Sequence, residues 1–154
     1  MQRVSCKSLE ALEACASSFL ERLRVDVTRS TVVGLTGDLG SGKTAFVKAI
    51  AKLLGISEHV TSPTFVIQKM YEVPSHEKFR YLVHIDAYRL EGAEETNTIE
   101  WERVCTMPHT LVLVEWPERM GEAFPDDAEI VSFTWINDTT RSVEFQSTIK
   151  HGSN

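Results

Sequence analysis

The sequence has no stretch near the ~18 consecutive apolar residues of a membrane helix, and Met1-Gln2-Arg3-Val4-Ser5-Cys6-Lys7 lacks a signal peptide's apolar core. These absences lead us to expect a cytoplasmic protein without a membrane partner. Positive charge is scarce too: 16 Lys and Arg stand against 22 Asp and Glu, a net charge of −6. A surface built as a whole to grip DNA or RNA is therefore not expected, because phosphate binding depends on clustered cations. Cysteine is limited to Cys6, Cys15 and Cys105, without C-x-x-C or histidine-partnered zinc spacing, so they read as buried thiols. Repeats, linkers and low-complexity tracts are lacking as well.

What remains is ordinary globular composition, 42% hydrophobic and 25% charged over 154 residues. At ~150 residues per domain, residues 1–154 read as one domain with a polar tail from about Lys150. Ser8 is placed to cap a helix whose stripe is Leu9, Leu12, Ala16, Phe19 and Leu23. Thr31 to Thr36 is short and apolar on both parities, which predicts a strand covered on both faces. A second helix follows, with Phe46, Val47, Ile50, Leu53 and Leu54 as its buried stripe and Gly55 at its end. The period then becomes two: Phe65, Ile67, Tyr71 and Val73, then Phe79, Tyr81, Val83 and Ile85, predict a hairpin turning at 74–78. Gly92 to Val104 is acidic and weakly periodic and is read as a helix, Leu111 to Val114 as a central strand, and the chain turns at Pro117. Ile130–Ile136 and Arg141–Ser147 predict two final strands joined by Asn137-Asp138-Thr139-Thr140.

Between the strand ending at Thr36 and the second helix lies Gly37-Asp38-Leu39-Gly40-Ser41-Gly42-Lys43-Thr44. This matches G-x-x-x-x-G-K-[ST] in the strand–turn–helix setting the motif requires. Glycines let the backbone curl so that N–H groups point inward, and the helix start adds its unpaired N–H groups, so the pocket suits a polyphosphate. Lys43 would supply charge to the β- and γ-phosphates and Thr44 a hydroxyl to Mg²⁺. An inward Asp38 carboxylate would repel phosphate, so it is expected to brace the loop or face solvent.

Glu115 ends the apolar run 111–114 and is the candidate metal-side acid. Trp116 either stacks near the site or packs on the core. His84 and Asp86 share one strand face; Asp86 would orient the attacking water or a metal-bound water, or else pair with His84 at a sheet end. Ser62-Pro63-Thr64 is a candidate γ-phosphate switch, with an ordinary turn as the alternative. Arg89 and Arg119 are candidates for phosphate or partner contact, or simply solvated.

Taken together, Gly37–Thr44, Thr61-Ser62-Pro63-Thr64-Phe65, His84-Ile85-Asp86-Ala87-Tyr88-Arg89-Leu90 and Val114-Glu115-Trp116-Pro117-Glu118-Arg119 resemble the TsaE (YjeE) family. That family comprises small P-loop ATPases of threonylcarbamoyladenosine formation in tRNA, and the likeness runs from roughly Ser8 to Phe145. It implies an α/β fold: a P-loop NTPase-like three-layer sandwich with a central mixed, largely parallel sheet and a C-terminal β-hairpin. It implies ATP and Mg²⁺ as ligands, with Thr44 and Glu115 at the metal, Asp86 essential for turnover, and Thr64 and Glu118 beside the nucleotide. It also implies TsaB- and TsaD-like partners, TsaD transferring the threonylcarbamoyl group to adenosine 37, with tRNA reached through them. Two departures stand out: Ala45 where the family usually has Thr, and Ala87 where it tends to have Leu.

Two other functions fit a phosphate loop. A small-molecule P-loop kinase normally carries an arginine-rich lid, and no loop of this sequence has that cluster. A non-catalytic nucleotide-sensing module would work through the 62–64 segment, but no N-K-x-D-type guanine-reading motif occurs.

Overall fold

The computed structural model describes residues 2–60 and 68–146. Seven strands form one sheet, in the order β1-β7-β6-β2-β5-β4-β3. They are β1 (Gln2–Cys6), β2 (Thr31–Thr36), β3 (Gln68–Glu72), β4 (Tyr81–Asp86), β5 (Thr110–Glu115), β6 (Glu129–Trp135) and β7 (Arg141–Gln146). The four strands β6-β2-β5-β4 are parallel and occupy the middle, and antiparallel strands flank them on both sides. Every residue of β5 is buried, as its unbroken apolar run requires of a strand covered on both faces.

Strand alternation divides the core. Leu111 and Leu113 of β5 and Leu82 of β4 face one layer, containing α1 (Leu9–Arg22) and α2 (Lys43–Leu53). Val112, Val114, Val83 and Ile85 face the other, built from 3₁₀ turns at Ala93–Ile99 and Pro117–Ala123 and the short α3 (Trp101–Cys105). The result is the expected α/β three-layer sandwich. Ser8 caps α1 by accepting the Ala11 N–H at 3.1 Å. Lys78, between β3 and β4, donates to the last carbonyls of the same helix at Leu20 (2.9 Å) and Leu23 (3.2 Å). Helix and hairpin are thereby tied together.

Several expectations need correction. Leu9 and Leu53 are 59% and 39% exposed, so the buried stripes of α1 and α2 are narrower than their apolar periodicity suggested. Gly92–Val104 is not one helix: Glu100 adopts φ 50°, a left-handed conformation that separates the 3₁₀ segment from α3. The N-terminal strand β1 was not anticipated. Its residues are mostly exposed at a sheet edge, so they show little hydrophobic alternation. Of the three thiols, Cys6 and Cys15 are buried as expected and Cys105 is half-buried.

An aromatic cluster joins α1 and α2 to the sheet. The Phe46 ring lies 5.7 Å from Phe19, 5.4 Å from Phe133 and 6.5 Å from Phe145. Truncating a fully buried phenylalanine removes both its transfer energy and its packing, so Phe46→Ala should cost about 3–5 kcal/mol. Urea unfolding tests this: the midpoint should fall with the slope unchanged, and a loss below about 1 kcal/mol would contradict the cluster's role.

Candidate functional site

Alternation and register together build the site. Counting by twos from Leu111 and Leu113 places Glu115 on the α2 face of β5, and counting from Leu82 places His84 and Asp86 on that same face of β4. The parallel register sets Asp86 beside Glu115. The glycine-rich loop leaves β2 and turns into α2 directly above these strand ends, because Gly42 caps the helix without a side chain, at φ 113°. Gly37 (φ +141°) is held tightly: a Cβ there would lie 2.5 Å from the Phe133 carbonyl oxygen and 2.7 Å from Ser41 Oγ.

Lys43 is only 4% exposed. Its ammonium donates to the carbonyls of Gly37 (2.5 Å) and Asp38 (2.9 Å), and the latter also accepts the Ser41 N–H at 3.1 Å. Burial lowers the Lys43 pKa, and Glu115, Asp86, Glu118 and Asp38 oppose that shift through their charge. One cation and four acids, drawn from the loop, two strand ends and the 3₁₀ turn after β5, therefore share a field. Thr44 Oγ1 donates to Glu115, at 3.0 Å from Oε1 and 3.2 Å from Oε2. Glu115, 3% exposed, also meets His84 Nε2 through Oε2 at 2.6 Å. Asp86, partly exposed, accepts the Tyr88 N–H at 3.1 Å.

The donor set fits a hard divalent cation such as Mg²⁺. With its proton on the carboxylate, the Thr44 hydroxyl keeps lone pairs available, and Glu115 adds a second oxygen. Among the described residues no three His, Cys, Asp or Glu side chains gather into a metal-holding group. A cation here would take its remaining ligands from a phosphate and water, as Mg²⁺ commonly does. The loop fits an anion, with the open N-terminus of α2 and a buried lysine beside it. Ser41 Oγ is buried there without a partner.

Aromatic rings roof this side of the loop. Lys43 Nζ sits 4.4 Å from the Trp116 ring centroid, Trp116 packs edge-on to Tyr88 at 5.1 Å, and the Arg119 guanidinium lies 5.3 Å from the Tyr88 ring. Trp116 therefore both stacks beside the site and packs against the core. The side chains of Asp38, Leu39 (74% exposed) and Glu118 face solvent, so Leu39 can serve the loop only through its backbone. Thr64 and the rest of the 61–65 block lie outside the described residues. Ala87 is fully buried and its N–H donates to the Glu115 carbonyl at 2.9 Å, while Ala45 packs at the core's edge. Sequence reasoning missed Phe133 beside Gly42, where a Cβ would lie 3.7 Å from Phe133 Cδ1 and 3.6 Å from Arg141 Cγ. Neither residue belongs to a motif; the fold alone brings β6 and β7 to the loop.

The family model described as "Threonylcarbamoyl adenosine biosynthesis protein TsaE" matches residues 6–143. The chain belongs to the TsaE family. Among its relatives, the tRNA threonylcarbamoyladenosine biosynthesis protein TsaE of Treponema pallidum is 35% identical over 113 residues, 73% of this chain and 79% of that protein. The TsaE of Rickettsia bellii is 28% identical over 142 residues, 92% of this chain and 94% of that protein. With others the match is shorter, reaching 57% of the Nostoc TsaE at 39% identity. The crystal structure of Bacillus subtilis YdiB superposes with a TM-score of 0.70 at 26% identity, covering 96% of this chain and 85% of that one. The P-loop NTPase-like architecture expected of a TsaE is thus the one observed. No helix among the described residues is long and apolar enough to cross a membrane.

Two of the three loop glycines, Gly37 and Gly40, differ in a testable way. A Cβ at Gly40 meets nothing within 4 Å, whereas one at Gly37 strikes the Phe133 carbonyl. Gly37→Ala should destabilise by about 1–3 kcal/mol and Gly40→Ala by less. Equal urea midpoints for the two variants would contradict this account of the loop.

Proposed function

We propose that this TsaE-family chain is a Mg²⁺-dependent ATPase that serves threonylcarbamoyladenosine formation at adenosine 37 of tRNA, working through TsaB- and TsaD-type partners. The observation that carries the reading is the Thr44–Glu115 hydrogen bond directly beneath the loop lysine. Lysine, hydroxyl and carboxylate meet there as magnesium-dependent cleavage of a β–γ phosphate bond requires.

In this reading the backbone N–H groups of the loop and the start of α2 hold the phosphates. Lys43 exchanges the Gly37 and Asp38 carbonyls for phosphate oxygens, which offer it a full negative charge. Thr44 and Glu115 would hold the Mg²⁺, which would neutralise charge on the β- and γ-phosphates. Asp86, beside Glu115 in register, orients the attacking water. Thr64 and Glu118 flank the nucleotide, the former within the proposed switch. The acidic balance of the chain leaves RNA contact to the partners, and the TsaD-type partner carries out the transfer to adenosine. Turnover by the chain alone should be slow, since a transition-state arginine supplied by a partner can be worth ~10³-fold or more.

Assays of ATP binding and hydrolysis, with and without the two partner proteins, test the reading. Lys43→Ala should weaken Mg-ATP binding and stop turnover, because a charge aimed at the phosphates is gone. Asp86→Asn should retain binding and lose about 10²-fold in turnover. Wild-type hydrolysis by Lys43→Ala would overturn the enzyme assignment, and wild-type hydrolysis by Asp86→Asn would leave that residue a structural role.

A further inference from the structure

His84 is wholly buried, yet its ring does not simply fill space. Nε2 lies 2.6 Å from Glu115 Oε2, while Nδ1 is buried without a hydrogen-bond partner. A carboxylate offers only lone pairs, so Nε2 is the donor in this contact. Oε2 is thus engaged by His84 and lies 3.2 Å from the Thr44 hydroxyl, which sits nearer Oε1 at 3.0 Å. Lys43 is a competitor for Glu115, since the charge of the carboxylate already acts on it. A direct Lys43–Glu115 ion pair would occupy both the group meant for phosphate and the group meant for metal.

We propose that His84 is a positioning residue: its Nε2–H holds Oε2 of Glu115 so that Oε1 stays turned toward Thr44 and available to a divalent cation, and so that the carboxylate does not collapse onto Lys43. The inference rests on the reading of Thr44 and Glu115 as the metal end of a nucleotide site. A merely structural histidine could be replaced by another group of similar volume without affecting the cation. A positioning histidine needs its donor, and such outer partners of a metal-binding carboxylate typically contribute 10–100-fold in affinity, as an order of magnitude.

The test compares full-length wild type, His84→Phe, which keeps a ring but removes the donor, and His84→Gln, whose amide can donate from a similar reach. ADP affinity is measured in EDTA, and Mn²⁺ affinity of the ADP-saturated protein by electron paramagnetic resonance. His84→Phe should bind ADP like wild type in EDTA but bind Mn²⁺ roughly 10–100-fold more weakly, and His84→Gln should recover most of that loss. If His84→Phe does not fold, His84→Asn, whose amide is too short to reach Oε2, takes its place against His84→Gln. Wild-type Mn²⁺ affinity in the donor-free variant, or failure of His84→Gln to recover, would overturn the proposal. A wild-type protein that binds ADP but takes up no Mn²⁺ would instead overturn the metal reading, and this inference with it.

Discussion

Glu115 places a carboxyl group where water barely reaches, and such a group is tolerable only if its neighbours satisfy it. Here the Thr44 hydroxyl and the His84 ring do so. Each partner comes from a different element: Thr44 from the first turn of α2, His84 from β4, and Glu115 itself from the end of β5. Satisfying one buried carboxylate therefore fixes the height of α2 above the sheet and the register of the two parallel strands. The glycine-rich loop, strung between β2 and α2, takes its shape from the same constraint.

The two faces of the sheet divide the work. On the α1–α2 face, a dense cluster of phenylalanines anchors the helix that carries Lys43 and Thr44. The opposite face is closed by 3₁₀ turns and a short helix, and the segments that follow β4 and β5 supply the Trp116–Tyr88–Arg119 roof. A regular helix on one side and a less regular cover on the other suit the proposed site, in which the lysine exchanges carbonyls for phosphate.

Much of this was legible in the residues because the relevant signals are local. The apolar run 111–114, the glycine spacing of 37–44 and the alternation in 79–85 each depend on neighbours within a few positions, and β5, the loop and β4 appear where those patterns place them. Glu115 and Asp86 follow from the same alternation, since a strand ending in an acid carries it to the sheet's rim. What escaped was set by distant contacts. Strand β1 exists because β7 offers it an edge, with Val4 opposite Val143, and its own exposed residues scarcely alternate. The break at Glu100 is a single left-handed residue with no glycine to mark it. The His84–Glu115 contact joins two segments 31 positions apart, and only the register of β4 on β5 reveals it.

If the charge gathered at Lys43 serves tRNA modification, nucleoside mass spectrometry of cellular tRNA will register its loss. Cells depleted of this chain are re-supplied with either the wild-type or the Lys43→Ala form. Threonylcarbamoyladenosine should fall on depletion and return with wild type alone. Undiminished modification on depletion, or full recovery with Lys43→Ala, would contradict the account.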